Sequence, residues 1–148
     1  MKKTDEPVIV HGLFDASAEK VWQVITQVQL MRQWFFNNIP DFKAQVGFNT
    51  RFNVRSGERD FMHLWEIIEV IPQKKISMKW SYDHYPGDSI VTFELLETNN
   101  RIKLRLTHRV LEDFPEEISE FKRESCLAGW NYFLNQSLKK FLQQSTQQ

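Results

Sequence analysis

Five successive runs between Phe48 and Val110 alternate apolar and polar residues, and few architectures can absorb that pattern. Phe48, Thr50, Phe52 and Val54 alternate with Asn49, Arg51, Asn53 and Arg55. Ile76, Met78, Trp80 and Tyr82 alternate with Ser77, Lys79 and Ser81, and Val91, Phe93 and Leu95 with Thr92 and Glu94. Ile102, Leu104, Leu106, His108 and Val110 alternate with Lys103, Arg105, Thr107 and Arg109. A period of two places each apolar set on one face of a strand. The remaining run, 61–71, ends at Pro72 and is ambiguous: Trp65 and Ile67 fall on one face, Ile68 and Val70 on the other. Ser56-Gly57-Glu58, Tyr85-Pro86-Gly87-Asp88 and Thr98-Asn99-Asn100 are turn signals between the runs. Connections that short make neighbouring strands antiparallel.

A sheet with one apolar face needs something to cover it. Val8, Ile9, Val10, Leu13 and Phe14 form a first strand near 8–14. Ser17 then offers a helix cap, and Val21, Val24, Ile25 and Val28 follow at helical spacing. Leu30, Met31, Trp34 and Phe35 extend that spacing until Asn37-Asn38 and Pro40-Asp41 break it. At the other end, Leu127, Trp130, Leu134, Leu138 and Phe141 mark one face of a long helix. Asp113 and Glu116 resemble a capping box with Pro115 in the first turn, which predicts a helix from about 116 to 142. The expected fold is α+β: a curved antiparallel sheet of about six strands around a long C-terminal helix, with two short helices after the first strand.

The 148 residues suit one domain, with 143–148 expected to fray as a polar tail. Net charge is zero, with 19 basic and 19 acidic residues, which lacks the electrostatic footprint of nucleic-acid binding. Cys126 is the sole cysteine, so no intrachain disulfide forms, and a cytoplasmic location is expected. Acidic residues and a proline follow Lys2-Lys3 where a signal peptide would be apolar, and no stretch is long and apolar enough for a membrane helix. Twelve Phe, five Trp and three Tyr are the unusual feature; they can fill a core and leave some to line a cavity.

Seven segments in order resemble the START-like (birch-pollen-allergen-like, SRPBCC) superfamily, the helix-grip fold. They are Asp15-Ala16-Ser17-Ala18-Glu19-Lys20-Val21-Trp22, Gln33-Trp34-Phe35, Glu69-Val70-Ile71-Pro72, Met78-Lys79-Trp80, Ser89-Ile90-Val91-Thr92-Phe93-Glu94-Leu95, Leu106-Thr107-His108 and Gly129-Trp130. Within it the chain is similar to the group named after the activator of a heat-shock-protein ATPase, over about residues 8–142. Two positions depart from the usual pattern. Ser17 stands where relatives often have proline, and Arg109-Val110-Leu111 stands where a glycine often follows the Thr-His pair. The resemblance implies binding of a small apolar or amphipathic molecule (lipid, sterol, flavonoid or polyketide-like), with no catalysis and no cofactor expected. The alternatives are a co-chaperone-like, stress-response partner of a heat-shock ATPase and a cyclase- or hydrolase-like enzyme. The co-chaperone of the group carries a further domain that a chain of this length does not hold.

The cavity candidates are Trp34, Phe52, His63, Trp65, Trp80, Tyr82, Phe93, Leu106, His108, Cys126, Trp130 and Phe133, with His63, Tyr82 and His108 as polar groups among aromatics. A packed aromatic core accounts for most of them. His108 shares the inward face of Leu104 and Leu106, where a buried imidazole needs a partner. Cys126 or Ser125 beside His108 has the elements of a nucleophile and base, yet no nucleophile-elbow glycines surround either, and a lone cysteine is ordinarily a small buried hydrophobe. No two of His11, His63, His84 and His108 lie three or four apart, so no metal site is expected. Arg101, Lys103, Arg105 and Arg109 form an outward stripe that Glu94 and Glu97 are placed to offset.

Overall fold

The computed structural model describes residues 1–146, with side chains through residue 144. Six strands form one antiparallel sheet: β1 (Val8–Phe14), β2 (Asn49–Ser56), β3 (Arg59–Ile71), β4 (Lys75–Tyr82), β5 (Asp88–Thr98) and β6 (Arg101–Glu112). Their order is β1-β6-β5-β4-β3-β2, so each of the last five strands lies beside its sequence neighbour and β1 closes against β6. The β5–β6 hairpin turns on Asn99 and Asn100 with φ of 48° and 66°, the left-handed pair that matches strand twist in a two-residue loop.

A bulge removes the ambiguity of the 61–71 run. Ile67 pairs with Met78 and Glu69 with Ser77, so Ile68 is the extra residue and Val70, opposite Ile76, returns to the inner face. Trp65, Ile67 and Val70 therefore all serve the core.

Two short helices, α1 (Ala18–Thr26) and α2 (Val28–Trp34), follow β1. Ser17 Oγ accepts from Lys20 N at 3.1 Å, the cap its sequence position implies. The break between the helices is Gln27, extended at φ −92° and ψ 121°. Gln27 N donates to the Gln23 carbonyl, and the Gln27 carbonyl accepts from Leu30 and Met31, so one residue caps both helices.

The C-terminal helix differs from expectation in two ways. It begins at Arg123, not near 116. Asp113 and Glu116 instead sit in an irregular strap of residues 113–122 that contains one 3-10 turn, Ser119–Phe121. Phe114, Ile118 and Phe121 of this strap are buried against Phe61 and Val110 in a second, smaller core cluster. Burying two phenylalanines there outweighs a local capping signal worth about 1 kcal/mol. Secondly, Leu127 is 47% exposed. The buried stripe is Trp130, Leu134, Leu138 and Leu142, with Cys126 partly buried in line with it. Steps of four drift by about 40° each around an α-helix. The helix contains a wider π segment, Phe133–Leu138, between α3 (Arg123–Tyr132) and α4 (Lys139–Thr146), and its extra residue per turn reverses that drift. Residues 143–146, expected to fray, continue α4, and 147–148 lie outside the described residues.

The outward basic stripe is paired in part. Arg105 meets Glu94 at 3.3 Å and Arg101 meets Asp15, rather than Glu97, at 3.0 Å.

Candidate functional site

At one end of the sheet a cavity of about 130 Å³ opens between β3, β4 and β6, the strap and α3. His63, Trp80, Tyr82, His108, Cys126, Trp130 and Phe133, seven of the twelve sequence candidates, line it. The other five are core. Trp34 is buried with Nε1 donating to the Val24 carbonyl at 2.7 Å. Phe52 lies under His63, its ring stacked at 5.1 Å, and Trp65 packs on Trp80 at 5.1 Å. Phe93 meets Trp130 edge-on at 5.9 Å, and Leu106 is fully enclosed.

Sequence reasoning missed Phe36, Phe114, Glu120, Phe121 and Gly129 on the cavity wall. The helix expected from about 116 begins at Arg123, and a strap over the sheet end carries Phe114, Glu120 and Phe121. Phe36 follows the end of α2, where periodicity stops carrying information, and packs between Phe52 and Phe133 at 5.2 and 5.1 Å. The Phe35-Phe36 pair was the available signal.

His108 is the hub. Ser89 Oγ donates to the Trp80 carbonyl at 2.6 Å, so its lone pair receives the Nε2–H of His108 at 2.9 Å. That fixes the tautomer: Nδ1 is unprotonated and accepts from Trp130 Nε1–H at 3.0 Å and Cys126 Sγ–H at 3.4 Å. Burial without a counter-charge lowers the imidazole pKa to about 4. Burial likewise pushes the Cys126 thiol up to about 12. The two groups thus touch as neutral partners, whereas nucleophilic activation needs a depressed thiol pKa. Ser125 Oγ turns away to the Ser119 carbonyl at 2.8 Å.

Tyr82 and His63 complete the polar set. Tyr82 Oη accepts from Trp80 Nε1 at 2.8 Å, and burial raises its pKa. His63 Nδ1 lies 2.9 Å from the Phe61 carbonyl and therefore carries the proton. Burial lowers the His63 pKa to about 4. Glu120, partly exposed, is held ionised by Ser56 Oγ at 2.8 Å, by Ser119 and by Arg59 at 3.2 Å. Among the described residues no three His, Cys, Asp or Glu side chains gather as a metal ion requires.

The comparison that decides the family is the match of residues 15–143 to the activator of Hsp90 ATPase homolog 1-like proteins. The chain belongs to that family. Its fold recurs in solved structures. Protein MLL2253 from Mesorhizobium loti is 28% identical with a TM-score of 0.73, over 94% of this chain and 98% of that one. The Aha1 protein from Colwellia psychrerythraea, solved as a dimer, is 22% identical with a TM-score of 0.73, over 93% and 96%. DynU16, a protein of the dynemicin biosynthetic locus, is 22% identical with a TM-score of 0.74, over 94% of this chain but 48% of that one. A search of the curated proteins finds no significant match. No helix among the described residues is long and apolar enough to cross a membrane.

Proposed function

We propose that this family member binds a small apolar or amphipathic molecule in the cavity between sheet, strap and α3. The observation that carries the reading is an aromatic pocket with polar atoms grouped at His63, Tyr82 and His108. The volume of about 130 Å³ suits one ring or a short branched chain. An enclosed apolar cavity of about 150 Å³ holds a benzene. A sterol, flavonoid, fatty acid or polyketide enters whole only if the strap bearing Phe114 and Phe121 swings out. The place of DynU16 in a biosynthetic locus is compatible with small-molecule binding.

Trp80 and Trp130 line the cavity, so occupancy should alter tryptophan emission, and ligand at one hundred times its Kd should add about 2.7 kcal/mol of stability. A panel of small aromatics, short acyl chains and the larger classes above, read by thermal shift and emission, tests this. Native mass spectrometry of the purified protein complements it by detecting carried-over ligand. The absence of both a thermal and an emission response across the panel would sink the reading. It would leave the co-chaperone alternative, whose support is the family itself and whose test is a pull-down with a heat-shock ATPase.

A further inference from the structure

The hydrogen bonds of the cavity leave one donor and one acceptor unused. His108 has nothing left to offer, because Ser89 takes Nε2–H while Trp130 and Cys126 fill Nδ1. The oxygen of Tyr82 is occupied by Trp80 Nε1–H, but its own O–H meets no acceptor among the described residues. His63 is 5% exposed and spends Nδ1–H on the Phe61 carbonyl. Its Nε2 has no partner among the described residues. It is not sealed either: Trp65 Nε1 is the one fully enclosed, unpartnered polar side-chain atom among them. His63 Nε2 therefore meets open space, and the space that His63 lines is the cavity. His63 and Tyr82 are paired across β3 and β4, and their rings stand edge to face with centroids 4.8 Å apart, so the two unused atoms belong to neighbouring side chains on one wall of the cavity.

A group that satisfies both atoms must donate and accept at once, as a ligand hydroxyl does. Resting on the ligand-binding reading above, we propose that the cavity selects a ring-sized alcohol, a phenol in the simplest case. Its O–H donates to His63 Nε2, and its oxygen accepts from Tyr82 O–H. An ether oxygen can accept but leaves the imidazole lone pair unpaired. A hydrocarbon leaves both atoms unpaired. A carboxylate also lacks the proton that His63 requires and brings a second negative charge into the cavity that Glu120 already lines. A phenol is neutral at physiological pH, with a pKa of about 10.

The test is titration of the full chain at pH 7.5 with p-cresol, toluene, anisole and benzoate, by tryptophan emission and calorimetry. Toluene is p-cresol without the hydroxyl, and anisole is its isomer with the proton replaced. p-Cresol should bind at least about tenfold more tightly than the other three, because buried polar groups built to pair reject analogues that leave them unpaired. Tyr82→Phe and His63→Phe should each bring p-cresol close to toluene, while toluene affinity stays within about threefold because the apolar walls are kept. If Tyr82→Phe fails to fold, the ligand ranking of the wild type and His63→Phe decide. Equal binding of p-cresol and toluene, benzoate as the tightest ligand, or a p-cresol preference unmoved in both variants overturns the hydroxyl selection and leaves the ligand-pocket reading standing. Binding of none of the four up to their solubility also overturns the hydroxyl selection, and the ligand-pocket reading falls with it only when the wider panel above gives no response either.

Discussion

Trp130 Nε1 stands 3.0 Å from His108 Nδ1, and through that bond the long helix is pinned to β6 beside the cavity. Trp130 also packs edge to face on Trp80 at 5.3 Å and on Phe93 at 5.9 Å. One side chain thus joins the polar hub to the aromatic core.

The two contributions separate by substitution. Trp130→Ala removes ring and hydrogen bond together and should cost about 3–5 kcal/mol. Trp130→Phe keeps most of the ring packing, leaves His108 Nδ1 with the weak thiol donor alone, and should cost about 1–2 kcal/mol. Urea titration of both variants measures the split. A loss under about 1 kcal/mol for the alanine variant would mean that Trp130 is not core.

Acid should weaken the fold through its two buried histidines. Both His63 and His108 have folded pKa values near 4 against an unfolded value of 6.5. Between those values the unfolded chain takes up protons that the folded chain refuses, so stability falls as pH drops from 6.5 toward 4 and levels off below it for these groups. The full loss is roughly 3 kcal/mol for each histidine. Urea midpoints from pH 7.5 to 4.5 should follow this curve, and His63→Phe should flatten it. A midpoint independent of pH in that window would contradict the buried neutral state of both rings.

Cys126 should be a slow thiol. With its pKa at about 12 rather than 9, its thiolate fraction at pH 8 is roughly a thousandfold below that of a free cysteine. Disulfide-exchange reagents should label the native protein far more slowly than the urea-unfolded chain. Native labelling at the rate of a free thiol would show an open, activated Cys126.

Gly87 holds the cavity wall in place. Its φ is +118°, and an added Cβ would fall 2.3 Å from Cδ1 of Phe114. Gly87→Ala combines backbone strain with a collision against the strap, and should cost about 2 kcal/mol or more. Because Phe114 lines the cavity, the same change should weaken ligand response beyond the loss of stability. A melting temperature equal to wild type would mean that the strap does not pack on this turn.

Periodicity specified most of the elements, although Leu127, in step with the buried helix face, is exposed. The alternation from Phe48 to Val110, the turn residues at 56–58 and 99–100, and the helical spacing from Val21 and through Leu134 and Leu138 specify strands, hairpins and helices, because local geometry alone decides which side chains share a face. The inward placement of Trp80, His108 and Trp130 follows from the same rule, and half of the cavity residues were candidates from the sequence. Three things were settled only by packing across the chain. The bulge at Ile68 exists because Ile67 and Val70 both have core to fill, which no period of two can express. The strap of residues 113–122 leaves its helical signal because Phe114 and Phe121 find Phe61 and Tyr82 across the sheet end, at 5.0 to 5.9 Å. The protonation pattern of His63 and His108 depends on the Phe61 carbonyl and on Ser89, Trp130 and Cys126, most of them distant in sequence. Sequence states which groups a chain owns, but the use of a buried donor or lone pair depends on what the fold sets within about 3 Å of it.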